Sequence, residues 1–163
     1  MEVHFDGACE KSRRGAIATY GYTISGAGLA HEGRGLAVPP FHPRSTNNVA
    51  EYAGAICALE WVVRTGYDGE VIVRGDSQLV IHQMTGEYRV RAQHLKPYQE
   101  RLRQLSLKFR RVEFLWVPRG ENERADLLSK IAIREASDPA SASRGGAGGI
   151  PPGEETRPDD AGP

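Results

Sequence analysis

The sequence predicts an α/β domain on a mixed five-stranded sheet, with a three-strand antiparallel meander, two parallel strands and flanking helices. Two patterns carry this prediction: three strands separated by short turns come first, and helices then alternate with two further strands. Strands joined by short turns pair antiparallel, whereas helical crossovers give parallel pairs. The 163 residues, 39% of them hydrophobic, suffice for one domain of ordinary size but not for two.

Alternation of apolar and polar residues marks the strands. In residues 18–25, for example, Tyr20, Tyr22 and Ile24 fall on one face, and a glycine-rich turn follows at residues 26–28. The predicted strands cover residues 2–5, 18–25, 29–38, 71–73 and 112–117.

Apolar residues at intervals of three and four mark the helices. The clearest helix covers residues 48–65, where Tyr52, Ile56 and Leu59 repeat at this spacing and Gly66 follows as a candidate C-cap. The other predicted helices cover residues 77–84, 96–107 and 122–134.

Composition excludes several classes of protein. No run of about 18 apolar residues is present, so no membrane-spanning helix is expected. The first ten residues lack the basic start and apolar stretch of a signal peptide. Two cysteines, Cys9 and Cys57, cannot form a disulfide framework, and their surroundings do not suggest zinc. We therefore expect a cytoplasmic protein with no membrane association and no obligate protein partner.

The formal net charge of zero hides an uneven distribution. Residues 86–111 carry eight basic side chains against two acidic ones, which favours an anionic polymer or phosphate ligand over a membrane surface. A solvated helix face is an equally good interpretation of this stretch taken alone. Residues 137–163 are acidic, rich in Gly, Pro and Ser, and lack aromatics. We expect this segment to be a disordered tail and residues 1–136 to be the folded domain.

Four acids occupy special positions near the predicted element ends: Asp6, Glu51, Asp76 and Asp126. Each has a structural alternative. Asp6 could belong to a turn, and Glu51 could form a capping box with Asn48. Asp76 could be a helix N-cap, and Asp126 could form an ion pair with Lys130. Four carboxylates at one edge of a sheet would repel each other unless a cation offset them. Hard oxygen ligands of this kind suit Mg²⁺ or Mn²⁺.

The segments around these acids resemble the type 1 ribonuclease H family. They read FDGAC (5–9), STNNVAEYAGAICALE (45–60), RGDSQLVIHQMTGEY (74–88) and ENERADLLSK (121–130). The match spans nearly all of residues 1–136 in the family's order and spacing. The compact connection at residues 85–98 is similar to the archaeal-type branch, which lacks the basic protrusion. The resemblance implies the ribonuclease H-like fold.

The resemblance also implies an activity, hydrolysis of the RNA strand of RNA–DNA hybrids by an endonuclease that leaves 5′-phosphate and 3′-hydroxyl ends. A two-metal-ion mechanism with Mg²⁺, or Mn²⁺ as a substitute, is expected for the family. The branch permits cleavage of double-stranded RNA as well. By matching position, the catalytic and metal-binding residues are Asp6, Glu51, Asp76 and Asp126.

Substrate contacts follow partly from the resemblance and partly from charge. Amide side chains donate and accept hydrogen bonds, which suits the 2′-hydroxyl that separates RNA from DNA. An aromatic surface and arginines suit the DNA backbone. The family positions for substrate contact are Cys9, Asn47, Asn48 and Gln78, and the candidates for the DNA strand are Tyr88, Arg89 and Arg91.

The loop before the last acid departs from the family pattern. Many members carry a histidine there, whereas this loop reads VPRGENERAD, so Arg119 or Glu121 is a candidate substitute. A catalytically weak or inactive hybrid-binding module is therefore the main alternative. A proofreading-type exonuclease is disfavoured, because Ala8 stands where its second acid belongs. The domain could also be part of a larger protein.

Overall fold

The computed structural model describes residues 1–138 and residue 140. Five strands form one sheet: β1 (Glu2–Ser12), β2 (Gly15–Gly26), β3 (Leu29–Leu36), β4 (Glu70–Gly75) and β5 (Arg111–Trp116). Their order is β3-β2-β1-β4-β5. The first three strands pair antiparallel, and β4 pairs parallel with β1 and with β5. The predicted mixed sheet is confirmed.

Four helices flank the sheet: α1 (Asn47–Arg64), α2 (Gln78–Thr85), α3 (Lys96–Ser106) and α4 (Glu123–Ser137). Helix α1 packs on β1, β2 and α3 over the main hydrophobic core, and α4 covers the opposite face of β1–β3. Short 3₁₀ turns precede α3 and α4 at Gln93–Leu95 and Arg119–Glu121. Within the described part of the chain, no helix combines the length and hydropathy that a bilayer crossing requires.

Strand β1 is the boundary between the two faces. Val3 and Phe5 are fully buried in the core beneath α1. Asp6 points to the other face, where it meets Ser129 of α4. This alternation follows from the two-residue period of a strand, and it places Asp6 on the side of the sheet that α4 covers.

Strand β1 is longer than predicted, since it continues to Ser12 instead of ending at residue 5. Its pairing with β2 persists to Ser12 and Gly15, well beyond the end of β4, and this pairing sustains the strand without an alternating pattern. The Ser12 hydroxyl accepts a hydrogen bond from the backbone of Arg14 and closes the turn. Asp6 therefore lies inside a strand, and neither the strand end nor the turn expected at this residue is found.

Helix capping also differs from the expected pattern. Thr46 caps α1, because its hydroxyl accepts a hydrogen bond from the backbone amide three residues later, at 3.2 Å. The capping box of Asn48 and Glu51 is therefore absent. Ser77 caps α2 in the same way, at 3.3 Å, so Asp76 is not the N-cap. Both acids are free of capping roles.

The remaining differences concern element ends. Helix α1 ends at Arg64 with Thr65 as its C-cap, and Gly66 follows with the left-handed φ of 81° that suits glycine. Helix α4 continues to Ser137, three residues past its predicted end at residue 134. The predicted tail, residues 137–163, lies almost wholly outside the described residues.

Candidate active site

The site begins where the parallel pairing of β1 with β4 ends, at Phe5 and Gly75. In both cases the next residue along the chain is an acid, so Asp6 and Asp76 lie side by side. Helix α1 adds Glu51 to this pair. One carboxylate oxygen of each of the three acids lies within 4.8 Å of the others. The structure thus brings together three of the four predicted acids.

Gly7 allows Glu51 to approach the strand. A Cβ at Gly7 would lie 2.3 Å from the backbone nitrogen of Glu51 and 2.5 Å from the carbonyl carbon of Ala50. Only glycine permits this distance between β1 and α1. The backbone amide of Gly7 also acts to lower the pKa of Glu51. A glycine is therefore required at residue 7 by the close approach of α1 to β1 rather than by a turn.

Asp6 is held by α4. The Ser129 hydroxyl lies 2.7 Å from Asp6 Oδ2, and both residues are buried. The Thr19 hydroxyl of β2 donates to the backbone carbonyl of Ser129 at 2.8 Å, which fixes this turn of α4 against the sheet. Ser129 was not predicted as a site residue, although it lies inside the segment ENERADLLSK.

Asp76 is held from two sides. Asn122 Nδ2 donates to Asp76 Oδ1 at 3.0 Å and to the Phe5 carbonyl at 2.8 Å. The indole of Trp116 donates to the backbone carbonyl of Asp76 at 3.2 Å. Neither Asn122 nor Trp116 was among the predicted site residues. The signal for Asn122 was present in the Asn-Glu-Arg motif, whereas nothing local indicates Trp116.

Asp126 has a different environment from the other three acids. Lys130 Nζ lies 2.7 Å from one of its carboxylate oxygens, and Arg119 lies 3.0 Å from the other. The ion pair with Lys130 considered as its structural alternative is therefore present. Asp126 lines the same cleft as the other acids but lies outside the cluster of three.

The pKa shifts of Asp6 and Glu51 are opposite in direction to that of Asp126. Burial, with the negative charges of Asp76 and Asp126, raises the pKa of Asp6 to about 7. Burial and the charges of Asp6 and Asp76 also hold the pKa of Glu51 well above its usual range. For Asp126, burial acts to raise the pKa, but hydrogen bonds from Lys130 and Arg119 outweigh it and the pKa is lowered. Burial and negative charge thus outweigh the positive charge that acts on Glu51, which comes from Arg119, and they also raise the pKa of Asp6.

A divalent cation fits these residues. Glu51 Oε2 is buried and has no hydrogen-bond partner within the described residues. Such an orphaned oxygen is costly unless a ligand satisfies it. The cleft has a volume of about 430 Å³, which leaves room for a cation and a phosphate group. Carboxylate oxygens of Asp6, Glu51 and Asp76 are ligands that suit Mg²⁺ or Mn²⁺.

The predicted substrate residues lie at several places around the cleft. Cys9 and Asn47 line it, although the Cys9 thiol is within 3.4 Å of the Ser45 carbonyl. Asn48 and Gln78 lie in the first turns of α1 and α2, beside the lining rather than in it.

The two candidate substitutes for the loop histidine also differ in position. Arg119 lines the cleft and pairs with Asp126. Glu121 is exposed at the end of the same 3₁₀ turn and is not part of the lining.

A second groove, of about 580 Å³, lies between α2 and α3. Tyr88 and Arg89 line it, whereas Arg91 does not. The structure adds Lys96 and Arg103 to the lining. Among the described residues, none of these three cations in the groove forms an ion pair with a carboxylate. The basic run at residues 86–111 indicated this region, but not which side chains converge.

Comparison with known sequences agrees with the resemblance. A family model described as reverse transcriptase-like matches residues 4–132. The bifunctional protein Rv2228c of Mycobacterium tuberculosis is 40% identical over 99 residues, which are 61% of this chain and 27% of that protein. The chain thus matches only about a quarter of that relative's length. Ribonuclease HI of Halobacterium salinarum is 36% identical over 137 residues, or 83% of this chain and 65% of the relative.

Solved structures give the same answer. The crystal structure of RNase H1 from Halobacterium salinarum matches with a TM-score of 0.70 at 36% identity, covering 82% of this chain and 97% of that one. The crystal structure of LC11-RNase H1 in complex with RNA/DNA hybrid matches with a TM-score of 0.72 at 31% identity, covering 84% and 99%. With the motifs around the acidic cluster, these matches confirm the family: the chain belongs to the type 1 ribonuclease H family.

Proposed function

We propose that this protein is an endonuclease that hydrolyses the RNA strand of RNA–DNA hybrids and leaves 5′-phosphate and 3′-hydroxyl ends. The metal ligands in this proposal are Asp6, Glu51, Asp76 and Asp126, with two Mg²⁺ ions as cofactor and Mn²⁺ as a substitute. A cytoplasmic location stays a prediction. Support for hybrid as substrate comes from similarity to LC11-RNase H1, which was crystallised with RNA/DNA hybrid.

One observation carries the proposal: the three clustered carboxylates contain a buried, unpartnered oxygen of Glu51. Repulsion and burial make this arrangement unfavourable in the absence of a cation, as the raised pKa values of Asp6 and Glu51 indicate. Bound divalent ions would supply charge to activate a water and to stabilise the leaving 3′ oxygen. A role in folding alone would seldom require three clustered carboxylates with an unpartnered oxygen.

The protein's own groups hold the acids in place. The Ser129 hydroxyl orients Asp6, and the Asn122 amide orients Asp76. Arg119 and Lys130 already neutralise Asp126, so that acid can exchange these partners when charge in the cleft changes. In this proposal Arg119 takes the place of the missing loop histidine, since it lines the cleft and Glu121 does not.

Substrate binding would use the surroundings of the cleft. The first turns of α1 and α2 lie beside the cleft and offer backbone amides to phosphate. Asn47, Asn48 and Gln78 sit on these turns, where their amides can bond the 2′-hydroxyl and the base edges of the minor groove. The groove between α2 and α3 would receive the DNA backbone through its unpaired cations.

The test is a gel assay with labelled RNA. It compares an RNA–DNA hybrid, double-stranded RNA and single-stranded RNA, with labelled double-stranded DNA alongside, each in Mg²⁺, Mn²⁺ or chelator. Metal-dependent cutting of hybrid alone is the expected result. Additional cutting of double-stranded RNA would keep the chemistry and widen the substrate range. Hybrid binding without cutting in either metal would support the inactive module instead.

Asp76→Asn tests the metal assignment. The substitution keeps size but removes a ligand charge, so hybrid cleavage should fall roughly 100-fold or more, beyond the usual effect of a residue behind the ligands. Thermal unfolding should show a folded protein. Glu10→Gln, an exposed acid on the same sheet, is the control and should cleave normally. Cleavage by Asp76→Asn at the wild-type rate would refute Asp76 as a ligand.

A further inference from the structure

Asn122 is buried for no local reason. It is 2% exposed and occupies the N-cap position of α4, yet its side chain does not cap that helix. Its Oδ1 has no hydrogen-bond partner among the described residues. Burying an amide with an unmet acceptor is unfavourable, so its retention indicates a compensating role elsewhere.

The amide nitrogen of Asn122 supplies that role. Asn122 Nδ2 donates one hydrogen to the Phe5 carbonyl and the other to Asp76 Oδ1. The nitrogen-to-oxygen distances are 2.8 Å and 3.0 Å, respectively. Phe5 is the last residue of β1 that pairs with β4, and Asp76 is the first residue after β4. One side chain from the start of α4 therefore joins the end of the parallel strand pair to the carboxylate beside it.

Asp76 depends on this contact more than the other two clustered acids depend on theirs. It is less buried than Asp6 and Glu51, and the other donor to it, Trp116, contacts only its backbone carbonyl. Within the described part of the chain, Asn122 is the one amide side chain that donates a hydrogen bond to the Asp76 carboxylate, and the neighbouring Asp6 carboxyl group also contacts it. Without Asn122, this carboxylate would keep its contact with the Asp6 carboxyl group but lose its amide donor.

We propose that Asn122 is a positioning residue that holds the Asp76 carboxylate in the orientation required for divalent cation binding. This inference rests on the proposed metal-dependent function. A ligand with a fixed orientation loses less freedom on binding, and residues behind metal ligands commonly change affinity 10–100-fold. The same hydrogen bonds tie α4, and with it Asp126, to the strands that carry Asp6 and Asp76.

Isothermal titration of Mg²⁺ into the full-length protein tests the inference. For Asn122→Ala, we expect the dissociation constant of Mg²⁺ to rise about 10- to 100-fold. Hybrid cleavage should fall at low Mg²⁺ and recover in part at high Mg²⁺, with little change in KM for the hybrid. The control, Gln104→Ala, removes an amide-to-carboxylate hydrogen bond of 2.6 Å on the surface of α3 and should change neither quantity.

A purely structural role would lower the melting temperature and leave Mg²⁺ affinity unchanged, and that result in a folded variant would overturn the inference. Should Asn122→Ala fail to fold, Asn122→Ser provides the same test with a smaller loss of packing. Mg²⁺ binding by a wild-type protein that cuts no hybrid would overturn the proposed function but not this inference. A wild-type protein that binds no Mg²⁺ would overturn both.

Discussion

The four acids that line the cleft differ in how their charge is balanced. Asp126 carries two cationic partners, at 2.7 and 3.0 Å. Asp6 accepts a hydrogen bond from Ser129, and Glu51 Oε2 has no hydrogen-bond partner among the described residues. Neither acid forms an ion pair within the described part of the chain, and burial raises the pKa of both. Asp6 and Glu51 thus lack sufficient positive charge around them, and a bound metal ion would supply it.

This deficit makes stability depend on pH at Asp6. Its folded pKa of about 7 exceeds the ordinary aspartate pKa of 3.8, so its neutral form favours folding. That contribution is complete below the unfolded pKa and is lost as the pH rises through the folded pKa. In metal-free protein, Asp6→Asn should therefore be more stable than wild type at pH 8, by about 2 to 4 kcal/mol, and little different near pH 3.5.

Denaturant unfolding with chelator at the two pH values measures the difference. Glu10→Gln changes an exposed acid on the same strand and should show no comparable pH-dependent gain. Saturating Mg²⁺ at pH 8 should stabilise wild type more than Asp6→Asn. An advantage of Asp6→Asn that did not vary with pH would contradict the assigned pKa.

At the scale of elements, the site depends on how closely α1 approaches β1. Gly7 lies on the face of β1 that α1 covers, and a Cβ there would overlap backbone rather than a flexible side chain. The helix cannot yield without moving Glu51. Gly7→Ala should therefore lower the free energy of unfolding by about 2 kcal/mol or more, and also weaken Mg²⁺ binding.

The matched control is Gly120→Ala. A Cβ at Gly120 would meet nothing within 4 Å, and its φ is not in the left-handed region. Its unfolding free energy should stay close to that of wild type. Denaturant titrations and Mg²⁺ titrations of both variants provide the comparison. Wild-type stability and metal affinity in Gly7→Ala would show that α1 can shift without cost.

At the scale of the whole molecule, the two concave surfaces lie at opposite ends of α2. Ser77, at the start of the helix, lines the acidic cleft, and Thr85, at its end, lines the basic groove. The eight residues of α2 span about 12 Å, so one duplex could contact both surfaces. The groove supplies the attraction for phosphate that the acids lack.

Replacing both Lys96 and Arg103 with alanine should therefore weaken hybrid binding and leave kcat at saturation unchanged. Each lost phosphate contact should reduce the slope of log affinity against log salt by about 1. The control replaces Lys108 and Arg110, which make the same charge change outside the groove. Equal effects of the two pairs would show that net charge, not the groove, governs binding.

The sequence alone determined what depends on neighbours along the chain. Local patterns predicted five strands and four α-helices, though not all of their ends. The motifs singled out Asp6, Glu51, Asp76 and Asp126, and the fold clusters the first three. These features are local because a helix or strand repeats within a few residues.

Tertiary structure decided what depends on distant partners. The length of β1 follows from its pairing with β2, and the hydrogen bond between Ser129 and Asp6 joins residues 123 positions apart. The bridge from Asn122 to Asp76 and the convergence of Lys96 with Arg103 arise in the same way. No local pattern encodes such contacts, because the packing of α4 and α3 against other elements brings these side chains within reach.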